Sequence, residues 1–345
     1  MNAASSLYAA LARLRRQRML ARSDARRRLA RPVISIGNLA VGGSGKTPVT
    51  ALVARLLTDA GERPAILSRG YGRTDPVPGV TVVSDGTRLR ADLARAGDEP
   101  LMLARALPGT AVLVCPDRFL AGRLAERHLG ATVHLLDDGF QHLPLERDID
   151  LLLVDAADLA RPRTLPTGRL REPLDAARNA DAILIEGADA GQDPAAALTA
   201  AGVPHDTPRF TLARDLEPPV EETPGGPRPL PEGTRVLAVC GIARPERFLD
   251  ALEGSGVAVA GHEVFRDHHP YTAADLARIA ARVRETGAGA VLTTEKDLVR
   301  LLPLRPWPVR IAVRPMSARV EPADRFAAWI LERLQQARGR RESAA

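Results

Sequence analysis

The stretch Ile36-Gly37-Asn38-Leu39-Ala40-Val41-Gly42-Gly43-Ser44-Gly45-Lys46-Thr47 decides how this chain is read. An apolar, β-branched run at 33–36 precedes it and predicts a strand. A helical pattern at 48–59 follows, opened by Pro48, whose fixed φ suits a first turn. Strand, glycine-rich turn and helix in that order make a phosphate-binding loop. Glycines let backbone N–H groups close around phosphate oxygens, and the helix directs its positive end at them. The expected cradle is Ala40, Val41, Gly42, Gly43, Ser44, Gly45, Lys46 and Thr47, with Lys46 on the outer phosphates and Thr47 offering its hydroxyl to Mg²⁺. The strict pattern wants glycine where Ala40 stands, and Gly42 with Gly43 supplies that freedom.

Such a loop needs an apolar strand that ends in a carboxylate beside the phosphates. Val133-His134-Leu135-Leu136-Asp137-Asp138 fits. Adjacent acids on an extended chain point to opposite sides, so one of the pair ligates Mg²⁺ directly and the other through water; a helix cap is the competing role for Asp138. The run 151–155, ending in Asp155, is the rival element.

Further apolar runs at 65–68, 111–115 and 182–185 alternate with helical patterns at 99–107, 118–128 and 174–179, as in a parallel sheet covered on both faces. Six prolines and the pair Gly225 and Gly226 crowd residues 216–233. That composition reads as a linker. A second α/β pattern follows, with strands at 236–239, 290–293 and 309–313 and helices near 247–252, 272–286 and 324–336. The expected architecture is therefore α/β. A P-loop NTPase (RecA-like) parallel-sheet domain covers 31–215, a linker 216–233 and a smaller α/β domain 234–345, whose last helix either stays there or packs back on the first domain.

Of the 48 lysines and arginines only Lys46 and Lys296 are lysine, and nine of the arginines fall within residues 1–31 beside a single acid. Leu7, Leu11 and Leu14, continued by Ala21 and Ala25, recur at helical spacing, while Arg13, Arg15, Arg16, Arg22 and Arg26 lie off or at the edge of that stripe and Arg18 falls within it. Residues 1–30 thus read as a basic amphipathic helix suited to an anionic lipid surface, with a solvated or partner-docked helix as the plainer reading. Aromatic residues are only 3%, which argues against nucleic acid as partner. Two cysteines, Cys115 and Cys240, exclude a disulfide scaffold and a cysteine-rich zinc site and fit a reducing cytosol. No window is apolar for long enough to span a bilayer.

Several strings taken together resemble the tetraacyldisaccharide 4′-kinase family of lipid A biosynthesis. They are the loop through Thr47 and Pro48, Ser68-Arg69-Gly70-Tyr71-Gly72-Arg73, Gly97-Asp98-Glu99-Pro100, Asp117-Arg118, Leu136-Asp137-Asp138-Gly139-Phe140-Gln141-His142, Gly168-Arg169-Leu170-Arg171-Glu172-Pro173, Asp267-His268-His269 and Thr293-Thr294-Glu295-Lys296-Asp297. The resemblance implies transfer of the γ-phosphoryl of ATP, with Mg²⁺, to the 4′-hydroxyl of a tetraacyl glucosamine disaccharide 1-phosphate, giving lipid IVA. It implies a peripheral protein on the cytoplasmic face of the bacterial inner membrane, and the expected state is a monomer. It also implies that Asp98 is the catalytic base, assisted by His268 from the second domain, with His269 as the substitute.

The residues themselves allow these roles. Phosphoryl transfer needs positioning, metal, positive charge and a carboxylate to accept the hydroxyl proton. Asp98 is otherwise an N-cap. Arg118 and Arg171 have the planar fork that binds phosphate oxygens. Glu172 is a further metal candidate, and Tyr71, Gln141 and His142 are candidate substrate contacts. Lys296 either binds a phosphate or pairs with Glu295 or Asp297. A GTPase is disfavoured because the base-reading lysine of Thr294-Glu295-Lys296-Asp297 is displaced by one. A membrane-bound ATPase switch, the other alternative, would carry lysine where Val41 stands.

Overall fold

The computed structural model describes residues 3–22, 26–42, 45–187 and 193–343. Its helices are α1 (Ala3–Ala21), α2 (Lys46–Asp59), α3 (Leu93–Ala96), α4 (Asp98–Ala106), α5 (Arg118–His128), α6 (Ala156–Ala160), α7 (Pro194–Ala200), α8 (Pro245–Glu253), α9 (Ala273–Thr286), α10 (Glu295–Leu301) and α11 (Ala323–Glu342). The strands are β1 (Val33–Asn38), β2 (Pro64–Ser68), β3 (Thr81–Asp85), β4 (Ala111–Val114), β5 (Val133–Asp137), β6 (Ile149–Asp155), β7 (Ala182–Glu186), β8 (Arg209–Leu216), β9 (Val220–Thr223), β10 (Gly226–Pro229), β11 (Val236–Cys240), β12 (Val259–Val264), β13 (Ala290–Thr293), β14 (Ile311–Val313) and β15 (Met316–Glu321).

Among the described residues two sheets form. The first has the order β15-β8-β7-β6-β1-β5-β2-β4-β3 and is parallel except at β3 and β15, its two edges. Every residue of β1 is buried, as expected of a central strand covered on both faces. One face packs on α2, α4 and α11 through Val53, Leu57, Leu103, Ile330 and Leu334. The other packs on α5 and Leu29. The second sheet runs β10-β9-β14-β13-β11-β12, with Phe265, Leu276 and Ile279 on one side and Phe248 and Leu252 on the other.

The boundaries differ from the expected ones in two places. Residues 220–229 are no linker: β9 and β10 form an antiparallel hairpin, and β9 pairs with β14 at the edge of the second sheet. Pro227 and Pro229 sit on the outermost strand, the one place in a sheet that tolerates a residue without N–H. The chain also returns. β15 pairs with β8, and α11 lays Phe326, Ile330, Leu334 and Ala337 on the first core. Phe210 meets Phe326 edge-on at 5.1 Å, and Arg333, Arg338 and Arg341 pair with Asp181, Glu62 and Asp148. The two crossings lie side by side, with Glu217 N donating to Pro315 O at 2.9 Å.

Helix α1 docks by an unexpected face. Ser5, Ala9 and Arg16 are buried, whereas Leu7 is 63% and Leu11 57% exposed. Ser5 exchanges hydrogen bonds with Thr164, and Tyr8 donates to Arg171 O at 3.1 Å. Arg16 grips both oxygens of Glu172 at 2.9 and 2.7 Å and stacks over Phe140. Arg13 pairs with Asp175, so it too faces the body. Ala25 of the expected stripe lies outside the described residues.

If α11 belongs to the core of the first domain, Phe326→Ala should cost roughly 3–5 kcal/mol of stability. A denaturant titration that finds no loss would place that helix outside the core.

Candidate active site

β1 and β5 are parallel neighbours in which Ile36 faces Asp137. The glycine-rich loop and the two acids therefore leave the sheet side by side at its carboxyl edge. Gly37 allows this closeness, since a Cβ there would stand 2.6 Å from Phe140 Cβ. Gly45 takes a left-handed turn, φ 70°, into α2. Lys46 opens that helix, with its Nζ 3.2 Å from Asn38 Oδ1 and 3.6 Å from Asp138 Oδ1. Thr47 follows it. Ala40, Val41 and Gly42 lead into the loop, and Gly43 and Ser44 lie outside the described residues.

Asp137 and Asp138 diverge because β5 ends between them and the chain turns, not by strand alternation. Asp137 is buried and accepts from Thr50 Oγ1 at 3.1 Å. Burial, then Glu99 and Asp138, push its carboxyl up to about 7 against the pull of Lys46. Asp138 turns away at φ 55° and caps no helix; Arg171 holds it with two bonds of 2.9 and 2.8 Å. Burial works against its charge, but Arg171 and Lys46 keep the carboxyl below the usual range. A hard divalent cation suits this donor set of Thr47, Asp137 and Asp138, where buried acids crowd one another. Those residues fit Mg²⁺.

Asp98 begins α4 at the same edge. The preceding Gly97 has φ 82°, and a Cβ there would meet Tyr71 O at 2.6 Å, so this turn requires glycine. The Asp98 carboxylate is buried and is met by groups from the second domain. His268 Nδ1 stands 3.0 Å from Oδ2, and Arg300 of α10 reaches the same oxygen through Nε at 3.1 Å and through Nη2. Burial alone would raise the Asp98 carboxyl, but His268, Lys296 and Arg300 hold it well below the usual carboxylate range. Lys296, one turn before Arg300, pairs with Glu99 at 2.7 Å. Tyr71 is largely exposed and stands edge-on to His268 with ring centres 5.5 Å apart.

Arg118 is buried at the start of α5, where Nη1 donates to Pro116 O and Nε has no partner among the described residues. Burial and then Arg69 lower its pKa, while Asp138 and Asp137 raise it. Burial, Arg118 and Arg147 push His142 down to about 4, so its imidazole is neutral at pH 7. The buried Arg118 guanidinium beside a neutral ring favours an anion.

Other expected residues lie differently. Glu172 is not turned to the metal acids, since Arg16 holds both of its oxygens and Gln141 donates to one. Gln141 also donates to Asn38 O at 2.9 Å, which makes it a brace of β1. His269 pairs with Asp275 at 3.0 Å, so of the adjacent histidines only His268 meets Asp98. Asp155 caps α6 and pairs with Arg247 at 3.5 Å. Arg300, Glu99 and Asn38 had no role in the sequence reading, and the one signal for Arg300 is its position four residues after Lys296, on the same helical face.

The family model for tetraacyldisaccharide-1-P 4′-kinase (LpxK) matches residues 1–335. The chain belongs to this family. A tetraacyldisaccharide 4′-kinase of Geobacter metallireducens is 44% identical over 283 residues, covering 81% of each chain. Another from Syntrophus aciditrophicus is 38% identical over 323 residues, 89% of this chain and 85% of the relative. The crystal structure of LpxK from Aquifex aeolicus in complex with ATP superposes with a TM-score of 0.76 at 30% identity, over 96% of this chain and 97% of that one. The protein is thus an ATP-dependent kinase of α/β fold, as its resemblance implied, and the ATPase-switch alternative is not favoured.

The raised Asp137 carboxyl in this kinase has a consequence for stability. Its folded pKa, about 7, exceeds the ordinary 3.8, so the stability linked to its proton is complete below 3.8 and is lost as pH rises through 7. Without divalent cation, Asp137→Asn should melt several degrees above the native enzyme at alkaline pH, with the gap closing under acid. A gap independent of pH, followed by thermal melts in chelator, would exclude this account.

Proposed function

We propose that this kinase moves the γ-phosphoryl group of ATP to the 4′-hydroxyl of a tetraacyl glucosamine disaccharide 1-phosphate, yielding lipid IVA at the cytoplasmic face of the inner membrane. The observation that carries the reading is the Asp98 carboxylate. It is held by a histidine and an arginine of the second domain, one residue from Glu99, whose charge acts on Asp137. The name shared by the relatives supports the acceptor.

ATP takes the loop 40–47, with Lys46 on its outer phosphates. Thr47, Asp137 and Asp138 would hold a Mg²⁺ ion, which would neutralise phosphate charge. Asp98, ionised throughout the neutral range, accepts the proton of the sugar hydroxyl, and His268 orients it. Arg171 keeps Asp138 in place, while Arg118 and His142 receive negative charge of the substrate. Tyr71 lies beside the acceptor base, where it covers the sugar.

Lys46→Ala should remove nearly all lipid phosphorylation, and Asp98→Asn should lower kcat by about 100-fold or more with ATP affinity retained. Mass spectrometry of the defined disaccharide with Mg²⁺ and ATP reads both. An unphosphorylated lipid in the presence of ATP-loaded native enzyme would falsify the acceptor assignment.

The substrate is lipid, and α1 turns Leu7, Leu11 and Leu14 outward with Arg15, Arg18 and Arg22 also exposed. Buried leucines plus about 1 kcal/mol from each arginine near an anionic leaflet would seat this helix in the interface. None of the described helices is long and apolar enough to cross a membrane. Replacing the three leucines by serine should release the enzyme from anionic vesicles in sedimentation, with nucleotide binding intact; unchanged sedimentation would move the contact elsewhere.

A further inference from the structure

Arg300 is 6% exposed and makes contacts with both domains. Its Nε and Nη2 bind Asp98 Oδ2, and Nη2 lies 3.2 Å from His268 Nδ1. Its Nη1 donates to Gly241 O at 2.8 Å and to Asp297 Oδ1 at 3.1 Å. Asp297 is wholly buried, accepts from Gly241 N, Tyr271 Oη and Thr294 Oγ1, and so cannot drift. The backbone N–H of His268 also ends on Gly241 O, at 3.2 Å. One guanidinium thereby fixes the Asp98 oxygen, and the carbonyl it binds also anchors His268.

We infer that Arg300 is a positioning residue for phosphoryl transfer, setting the place and direction of the Asp98 carboxylate relative to His268 whenever the two domains meet. The inference rests on the reading of Asp98 as acceptor base. The planar fork with Nε and Nη2 on one oxygen leaves a carboxylate far less freedom than a single ammonium would. The other Asp98 oxygen accepts from Glu99 N at 2.9 Å, so the carboxylate is fixed from both sides. A neighbouring cation also weakens the base, which means that the gain in position must exceed the loss in basicity.

The charged and titratable groups around Asp98 are Glu99 on α4, Lys296, Asp297 and Arg300 on α10, and His268 with Asp267 on the loop after β12. Removing Arg300 leaves Lys296 as the nearby permanent cation, so the Asp98 carboxyl must titrate at higher pH.

The test is single-turnover kinetics of Arg300→Met and Arg300→Lys, each alone and combined with Asp98→Asn, across pH. Arg300→Met should lower kcat about 100-fold, with the KM values for ATP and lipid changing less than about threefold. Its acidic limb should move up by about one unit or more. Arg300→Lys should restore the limb and about a tenth or more of the rate. In the Asp98→Asn background neither change should reduce the rate further. Native kcat in the folded Arg300 variants, an unmoved limb in Arg300→Met, or an equal further loss beside Asp98→Asn would overturn the proposal. Should Arg300→Met fail to fold, Arg300→Lys decides, because its loss must vanish in that background. If Asp98→Asn itself keeps the native rate, the base reading fails separately.

Discussion

Asp98, Glu99, Asp137 and Asp138 reach the carboxyl edge of one sheet from two elements, and acids this close, two of them buried, cannot all keep their charge without compensation. The arrangement of the surrounding cations follows from that constraint. Arg171 and Lys46 are placed on Asp138, Lys296 on Glu99 and Arg300 on Asp98. Asp137 accepts from the Thr50 hydroxyl, and it is the acid whose carboxyl is pushed up rather than down. Two of the four acids are balanced from the second domain, so α10 and α4 are bound together by the chemistry of the site as well as by Val299, which joins the core of the first domain.

That dependence explains the route of the chain. A second domain carrying Lys296 and Arg300 must be held at a defined position, yet it is reached by crossings only a few residues long, at 217–219 and 314–315. A pair of adjacent crossings, tied by the Glu217 to Pro315 hydrogen bond, limits twist better than a single flexible linker. Returning the chain to the first sheet lets α11 close the same core that α2 opens. Arg105 to Glu222 adds a further ion pair across the boundary.

Sequence periodicity exposed much of this. The buried strands around the loop are mostly apolar, and the turn from strand to helix at Gly45 and Lys46 is marked by glycine, lysine and threonine together. The acids after β5 follow from the same logic. Other features are invisible for identifiable reasons. The hairpin at 220–229 is rich in proline, which signals a break, and only its position on an outer edge makes those prolines acceptable. β15 shows its strand character in Ala318 and Val320, two buried residues in alternation, too short a signal to separate from the turn before α11. Arg300 is one of 46 arginines, and burial against Asp98 depends on a contact 202 residues away in sequence. A leucine stripe on α1 is legible, but which face docks is not. The inward face uses Ser5, Ala9 and Arg16, whose pattern has no apolar signature.

Arg171 and Glu172 show how one residue step separates two tasks. The two side chains leave the bend at 171–172 on different sides, so Arg171 reaches Asp138 and Asn38 while Glu172 reaches Arg16. Gln141 bridges the two sides, since its amide donates to Asn38 O and to Glu172. Helix α1 is therefore bolted, through a buried ion pair, to the strand end that carries the phosphate loop. Removing one member of such a pair leaves an uncompensated buried charge and is far more disruptive than removing both. Glu172 thus has reason to be acidic, and Arg16 to be the one buried arginine among the described residues of α1.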